Sequence, residues 1–165
     1  MKTNRIEITI QEYQTNESIP ANDLELMEQA VIASQSSYAP YSQFHVGAAI
    51  LLENGEIIKG SNQENAAYPS GLCAERVALF SAKSVFPDIP IQAIAITAHS
   101  DDFETEVPVT PCGSCRQVLA EMQNRQTKKI KIIMKGQKGA TFVTDGIENL
   151  LPLMFIEEKL KKSKK

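Results

Sequence analysis

Three cysteines are the residues of this sequence best suited to chemistry, and two of them lie in the segment PCGSC. Cys112 and Cys115 are three residues apart, and Cys73 is the only other cysteine in the chain. Thiolates at this spacing are typical zinc ligands, and a catalytic zinc takes three protein ligands and leaves its fourth position open. A CxxC pair also occurs as a redox motif or as two core thiols. If the fold brings Cys73 to the pair, the cysteines predict a catalytic zinc site.

Both cysteine segments are expected at the start of helices. A helix is predicted to begin near Ser70 in SGLCAERVALFSAKSVF, and another runs from about Cys112 to Asn124. The N–H groups and partial positive charge of a helix N-terminus favour thiolate over thiol. Each helix follows a strand, so the two N-termini can meet beyond the strand ends. His45 or His99 could instead supply a fourth ligand and close the site as a structural one.

An acid–base group and a cation accompany the first cysteine in the segment CAER. Glu75 lies two positions after Cys73 and can reach past the metal toward its open position. A carboxylate there can take a proton from bound water and return it to a leaving group. The alternative is a surface glutamate that the helix dipole stabilises. Arg76 is placed to offset the net negative charge that three thiolates leave on zinc.

Apolar periodicity outside these motifs predicts alternating strands and helices. The first helix is expected from Asp23 to about Ser36, with Asn22 or Asp23 as its cap. Its residues Leu24, Met27, Val31 and Ser34 recur at helical spacing. The predicted strands are RIEITI, the hairpin FHVGAAILLENGEIIKGSN, IQAIAITAH, KIKIIMK and ATFVT, and IENLLPLMF is predicted as a short helix broken by Pro152. This order implies a mixed sheet with helices packed on its faces.

Composition narrows the classes of partner. The 165 residues carry a net charge of −3, whereas a nucleic-acid polymer would need a basic face. The only dense basic run, Lys159–Lys165, is expected to be a solvated, flexible tail. No apolar stretch is long enough for a membrane span, and MKTNRIEITIQEY lacks the apolar core of a signal peptide. A cytoplasmic protein with reduced cysteines is therefore expected.

The two cysteine motifs resemble the signature of the zinc-dependent cytidine deaminase superfamily, Cys/His-Ala-Glu followed by Pro-Cys-x-x-Cys. APYSQFHVGAA at 39–49, NQENAAY at 62–68 and LLPLMF at 150–155 are similar to the branch that acts on free nucleosides. The resemblance implies an α/β fold of three α-β-α layers, in which a mixed five-stranded sheet has helices on both faces. It also implies a single catalytic domain at 21–156, after an N-terminal extension with a short strand at 1–20 and before a Lys-rich tail at 157–165.

The resemblance also implies the roles of the site residues. One Zn²⁺ per subunit would be held by Cys73, Cys112 and Cys115, with Glu75 as the catalytic residue. Asn62 and Glu64 would bind the ribose, and an amide beside a carboxylate suits a sugar hydroxyl. The full set of implied substrate-binding residues is Phe44, Asn62, Glu64, Ala74, Tyr68 and Phe155, with Arg76 and Gln117 beside the metal ligands. Phe44 would contact the pyrimidine, and Phe155 would reach a neighbouring subunit's site.

The implied activity is hydrolytic deamination of cytidine and 2′-deoxycytidine to the uridine products and ammonia, a reaction of pyrimidine salvage. The family's branch with three cysteine ligands implies a homotetramer whose neighbours complete each site. Two alternatives remain open from the residues: a deaminase for a cytosine-bearing analogue of the blasticidin type, and a structural-zinc binding module. The chain departs from the family in residues 1–20, in a longer and more acidic 100–110 loop, and in the bulky pair Leu153-Met154.

Overall fold

A computed structural model describes residues 1–160, apart from the side chain of Lys159, and places helices on both faces of one sheet. The helices of this part of the chain are α1 (Ala21–Ser34), α2 (Ala74–Val85) and α3 (Gly113–Gln123). The strands are β1 (Gln11–Tyr13), β2 (Phe44–Leu52), β3 (Ile57–Ser61), β4 (Ile91–Ser100), β5 (Lys131–Lys135) and β6 (Thr141–Asp145). Within residues 1–160, no helix combines the length and apolar character needed to cross a membrane.

The sheet is mixed and has the strand order β1-β6-β5-β4-β2-β3. Only β4 and β5 are parallel, and every other neighbouring pair is antiparallel. The predicted α/β fold with helices on both faces is confirmed. The sheet has six strands instead of five, because Gln11–Tyr13 pairs with Thr141–Val143 along the free edge of β6.

Different helices cover the two faces of the sheet. On one face α1 packs through Leu26, Met27 and Ala30 against a group that includes Ala95 and Ile133. On the other face α2 and α3 cover a larger core, which includes Ile50, Ile94, Ile96, Ile132 and Met134. Because β4 is central and covered on both sides, both sets of its alternating side chains are apolar. That is why IQAIAITAH reads as a continuous apolar run.

A close approach between glycine and backbone sets the position of α2. A Cβ on Gly60 in β3 would lie 2.5 Å from the Ala78 nitrogen and 2.6 Å from the Ala74 carbonyl oxygen. Real Cβ atoms do not approach backbone this closely, so only glycine lets α2 lie against the strand at this depth. The N-terminal end of α2, which follows Cys73, is fixed in this way.

The N-terminal prediction was wrong in its position. Residues 5–10 form no strand, and the side chains of Ile6, Ile8 and Ile10 are exposed. The segment runs beside β6, where the Thr144 hydroxyl donates to the Thr9 carbonyl over 2.7 Å. Alternating isoleucines form a buried face only where a core lies under them, and the core does not extend to this edge.

The first helix begins earlier than predicted, and of the residues predicted at helical spacing Met27 and Ser34 are buried. Its N-cap is Pro20, with no side-chain cap, so neither Asn22 nor Asp23 has the predicted role. The Asp23 carboxylate instead accepts hydrogen bonds from the Lys131 ammonium at 3.0 and 3.1 Å. The buried apolar residues are Leu26, Met27, Ala30 and Ala33, whereas Val31 is exposed and Leu24 half-buried.

The predicted C-terminal helix in IENLLPLMF does not form. Only a 3₁₀ turn, Ile147–Asn149, is present, and the chain continues without regular structure past Pro152. Proline lacks an N–H group and its ring clashes with the preceding helical turn, so a helix cannot continue through this position. The predicted flexible tail at 157–165 begins with a short 3₁₀ turn at Glu158–Leu160, and residues 161–165 lie outside the described part of the chain.

Candidate active site

The cysteines are brought together by the N-terminal ends of α2 and α3. Cys73 is the N-cap of α2, Cys112 is the N-cap of α3, and Cys115 lies in the first turn of α3. The helix predicted from near Ser70 therefore starts later than expected. The reason is non-local, because Leu72 exchanges two backbone hydrogen bonds of 2.9 Å with Gln63 and is held extended. Cys73 therefore lies just before the first turn of α2, and its sulfur is close to the sulfur of Cys112 at the start of α3.

The sulfur positions fit a tetrahedral zinc ion. The Sγ atoms of Cys73 and Cys112 are 3.9 Å apart, those of Cys112 and Cys115 are 3.5 Å apart, and all three lie within 4.8 Å of one another. Zinc–sulfur bonds of about 2.3 Å at tetrahedral angles put two sulfurs about 3.8 Å apart. All three cysteines are free thiols. The donor set and its spacing therefore fit Zn²⁺ with a fourth position left open.

Hydrogen bonds favour the thiolate at Cys73. The neighbouring Cys115 thiol and the Arg76 guanidinium lower the pKa of Cys73. The Arg76 Nη2 lies 3.7 Å from that sulfur. The Nε of Arg76 is buried and has no hydrogen-bond partner among the described residues. An arginine held this close supplies the positive charge that a centre of three thiolates needs.

Glu75 is buried beside the cysteines and faces the same cleft. Only 4% of its surface is exposed. Burial raises the pKa of Glu75, and the nearby charge of Cys73 raises it further. A carboxyl group whose neutral form is favoured in this way is suited to accept and return a proton near neutral pH.

A cleft of about 630 Å³ joins these groups to most of the expected binding residues. Its volume is in the range of small-molecule sites. The cleft is lined by Phe44, Asn62, Glu64, Tyr68, Cys73, Glu75 and Cys112, together with Val109 and Thr110 from the 100–110 loop. The structure therefore collects a cleft of small-molecule size, a buried carboxyl group and the predicted metal ligands in one place.

Asn62 and Glu64 lie just beyond β3, not within it. Asn62 accepts the Val46 N–H at 2.8 Å and donates to the Phe44 carbonyl at 2.9 Å. An amide has two donors and two lone pairs, so one donor and one lone pair remain for a ligand.

Glu64 is held more tightly, by the tight turn before β2. Its carboxylate accepts the Ser42 hydroxyl at 2.5 Å and the Tyr41 N–H at 2.9 Å. The hydrogen bond from Ser42 is the largest cause that keeps the pKa of Glu64 below its usual value. The carboxylate is fixed in position, and Glu64 lines the cleft.

Phe155 and Gln117 do not join the cleft of their own chain. Phe155 is 69% exposed, and it is absent from the lining of the cleft. The Gln117 side chain holds the backbone of Phe155 through two hydrogen bonds. Its amide N–H donates to the Phe155 carbonyl at 2.8 Å, and its amide oxygen accepts the Phe155 N–H at 3.3 Å. Tyr68 lies at the rim, 77% exposed, with its ring edge-on to Tyr41 at 6.1 Å.

Two contributors to the site were missed from the sequence. Ser42 fixes Glu64, and Phe103 of the 100–110 loop stacks on Phe44 with ring centroids 6.2 Å apart. A polar residue in a turn is a weak signal for Ser42, and an aromatic residue in a loop gives none for Phe103. The histidines do not supply a fourth ligand. Among the described residues, His45 and His99 form a group of their own, apart from the cysteines.

Comparisons with known proteins agree with this geometry. The family model described as "Cytidine and deoxycytidylate deaminase zinc-binding region" matches residues 20–134. The chain is 40% identical over 135 residues to a cytidine deaminase of Halalkalibacterium halodurans, which covers 82% of this chain and 95% of that protein. A solved structure of cytidine deaminase from Burkholderia pseudomallei has a TM-score of 0.70 and 40% identity, over 80% of this chain and 98% of that one. A blasticidin-S deaminase of Bacillus cereus is 31% identical, over 84% of this chain and 95% of that protein.

Proposed function

This chain belongs to the cytidine deaminase family, and from that membership we propose that it deaminates cytidine and 2′-deoxycytidine hydrolytically, releasing uridine or 2′-deoxyuridine and ammonia. One observation carries the proposal. Three sulfurs at the spacing of a tetrahedral zinc site adjoin a buried carboxyl group, Glu75, in a cleft of about 630 Å³. The reaction would serve pyrimidine salvage. Thiolate ligands require reduced cysteines, which supports the cytoplasm as the proposed compartment.

The proposed chemistry depends on proton transfer by Glu75. Zinc held by Cys73, Cys112 and Cys115 supplies the Lewis acidity that makes water nucleophilic near neutral pH. Glu75 takes a proton from the attacking water and transfers it to N3 of the cytosine ring, which makes C4 more electrophilic. When the water oxygen has bonded to C4, Glu75 takes the proton of that hydroxyl and delivers it to the amine, which leaves as ammonia when its bond to C4 breaks. Its burial supports this role, because a buried carboxyl is not strongly penalised when it holds the proton between the two steps.

The substrate is proposed to lie along the cleft with its ribose at the β3 end. Phe44 would pack against the pyrimidine, while Asn62 and Glu64 would bind sugar hydroxyls. Glu64 is already fixed by Ser42 and Tyr41, so little ordering is needed when the sugar binds. Backbone groups near Ala74 would contact the ring, and Tyr68 would contribute at the rim.

We further propose that the protein is a homotetramer in which neighbouring copies complete each site. Phe155 and Leu153 are exposed apolar side chains, and Phe155 is held outward by Gln117. Apolar side chains displayed in this way are suited to burial against another copy of the chain. In the same proposal, residues 21–156 form the catalytic domain, and residues 1–20 form an extension joined to it through β1.

The test is the ultraviolet absorbance of cytidine mixed with zinc-loaded protein, with Glu75→Ala measured beside it. Loss of the cytidine band with the wild type alone supports the proposal. A flat trace with cytidine and 2′-deoxycytidine, combined with turnover of blasticidin S, would instead favour the analogue deaminase that the 31% identical relative makes the second candidate. Unfolding on chelation, with no turnover of any of these amines, would favour the structural-zinc module.

A further inference from the structure

The only two histidines of the chain lie side by side on one face of the sheet, on neighbouring strands. The cysteine centre uses neither of them. His45 in β2 and His99 in β4 are direct partners in the antiparallel register. Their rings are stacked, with centroids 4.9 Å apart and planes inclined by 15°. Stacked rings direct their nitrogen lone pairs side by side, so a turn of one ring about its Cβ–Cγ bond brings a nitrogen of each histidine to the same ion.

A carboxylate completes the group. Asp101 follows His99 by two residues, and its Oδ2 lies 3.5 Å from His45 Nε2. One ligand atom from each of His45, His99 and Asp101 lies within 4.8 Å of the others. Metal–ligand bonds of about 2.0–2.2 Å need donor atoms within about 4 Å of one another. Rotation of the Asp101 side chain, which is 62% exposed, together with the turn of a histidine ring provides this closure.

Serine hydroxyls of the α1 region hold the Nδ1 atoms of both rings. The Ser34 hydroxyl donates to the Val31 carbonyl at 2.8 Å, so its oxygen accepts from His99 Nδ1–H at 3.3 Å. This leaves the lone pair on Nε2 of His99. His45 Nδ1 lies 2.6 Å from the Ser37 hydroxyl. Histidine ligands of metals are usually hydrogen-bonded through their second nitrogen in this way, which fixes the tautomer.

The group is separate from the cysteine centre and open to solvent. Phe44 and Val46, on either side of His45 in β2, line the substrate cleft, so His45 points to the other face of the sheet. On that face His99 lines a second cavity of about 480 Å³ between α1 and the sheet. An ion can therefore reach His99 through this cavity without passing through the substrate cleft.

We propose that His45, His99 and Asp101 form a second metal site that binds a divalent transition-metal ion such as Zn²⁺, Co²⁺ or Ni²⁺. Two imidazole nitrogens and one carboxylate oxygen are donors that such ions accept, with further positions left for water. The bound ion joins Asp101 to β2 and β4. It thereby holds the start of the loop whose Phe103 stacks on Phe44 in the cleft. The second site stabilises this loop and takes no part in the deamination step.

The first test is metal titration of the full chain, made without a histidine tag and with zinc already bound at the cysteines. Because there are only two histidines, ¹⁵N-histidine labelling gives two imidazole spectra. A second equivalent of Zn²⁺ is expected to shift the Nε2 signals of both rings. The proposal is overturned if both spectra stay unchanged in excess Zn²⁺.

Cobalt distinguishes the two donor sets. In metal-free protein the first Co²⁺ equivalent is expected to give intense sulfur-to-cobalt charge-transfer bands from the thiolates. The second equivalent is expected to add only weak ligand-field bands, since imidazole and carboxylate lack sulfur. Charge-transfer intensity that keeps growing with the second equivalent would place that ion on the cysteines and contradict the proposal.

Variants locate the second ion. Asp101→Asn is expected to weaken binding of the second Zn²⁺ equivalent about tenfold or more, and Ser34→Ala, which frees the ring of His99, about tenfold. Asp102→Asn is the matched control, because it removes the same charge from the adjacent position outside the group and should leave both equivalents unchanged. Asp101 is exposed, so its variant should fold normally. Equal weakening by Asp101→Asn and Asp102→Asn, or by neither, would overturn the proposal.

Discussion

At the scale of single residues, the site shifts the pKa values of two neighbouring groups, the Cys73 thiol and the Glu75 carboxyl, in opposite directions. The neighbouring Cys115 thiol and Arg76 lower the pKa of Cys73, whereas burial raises the pKa of Glu75. One group is thus prepared to bind a metal as an anion, and the other to exchange a proton. Two titratable groups whose environments shift their pKa values in opposite directions are a recurrent feature of acid–base sites.

Glu75→Gln tests the proton-transfer role. The amide keeps the size of the side chain but cannot carry a proton, so turnover of cytidine is expected to fall about 10²–10⁴-fold. Zinc content, measured by atomic absorption, should stay at that of the wild type. Glu121→Gln, at an exposed position of α3, is the control and should keep full activity. Retention of most turnover by Glu75→Gln would contradict the proton-transfer role.

Arg76→Ala tests the counter-charge. Loss of the guanidinium 3.7 Å from the Cys73 sulfur raises the pKa of that thiol, so protons displace the metal at a higher pH than in the wild type. The zinc retained after dialysis at decreasing pH should therefore drop earlier for the variant. Arg125→Ala removes the same charge farther along the chain and should follow the wild-type curve. Coincident curves for Arg76→Ala and the wild type would exclude this role.

At the scale of elements, the depth at which α2 lies on β3 decides where the first cysteine sits. Gly60 permits that depth because its position faces the backbone of Ala74 and Ala78. The pairing of Leu72 with Gln63 then delays the start of the helix until Cys73. The metal ligand is thus positioned by a strand and a short bridge, and not by the helix alone.

Gly60→Ala tests this packing. The added methyl group would lie 2.5 Å from a backbone nitrogen, so α2 must shift, and the free energy of unfolding should fall by about 1–3 kcal/mol. Urea denaturation of the zinc-loaded protein measures the change. Gly113→Ala is the matched control, because a Cβ there meets no atom within 4 Å and stability should be kept. Equal stability of the two variants would mean that the α2–β3 contact is looser than described.

At the scale of the whole molecule, the exposed Phe155 links the proposed assembly to activity. Gln117 holds the backbone of Phe155 outside its own cleft, which is the arrangement expected of a residue that serves a neighbouring site. In a homotetramer, subunits that lack different site residues should then complement each other.

Mixing Phe155→Ala with Glu75→Gln subunits tests this sharing. Each variant alone is expected to have low activity, whereas mixed oligomers contain sites with Glu75 from one subunit and Phe155 from another. Activity after mild dissociation and reassembly should exceed the sum of the two separate variants. Light scattering should give the mass of four chains. Activity that never exceeds the sum, or the mass of a single chain, would contradict the shared site.

The sequence by itself determined the chemistry and the local elements. Cys73, Glu75, Cys112 and Cys115 could be predicted because short motifs state both residue type and spacing. The β2–β3 hairpin and β4 were equally evident, since apolar periodicity and the Asn54-Gly55 turn are local signals, and Gly55 has the expected positive φ of 85°.

Only the tertiary structure decided the relations between distant segments. The edge position of β1, the late start of α2, the support of Phe155 by Gln117 and the meeting of His45 with His99 each depend on contacts between residues far apart in the chain. Periodicity tells which face of an element is buried but not which element covers it or in which register strands pair. Those choices are made by the packing of the whole core, which no single stretch of sequence contains.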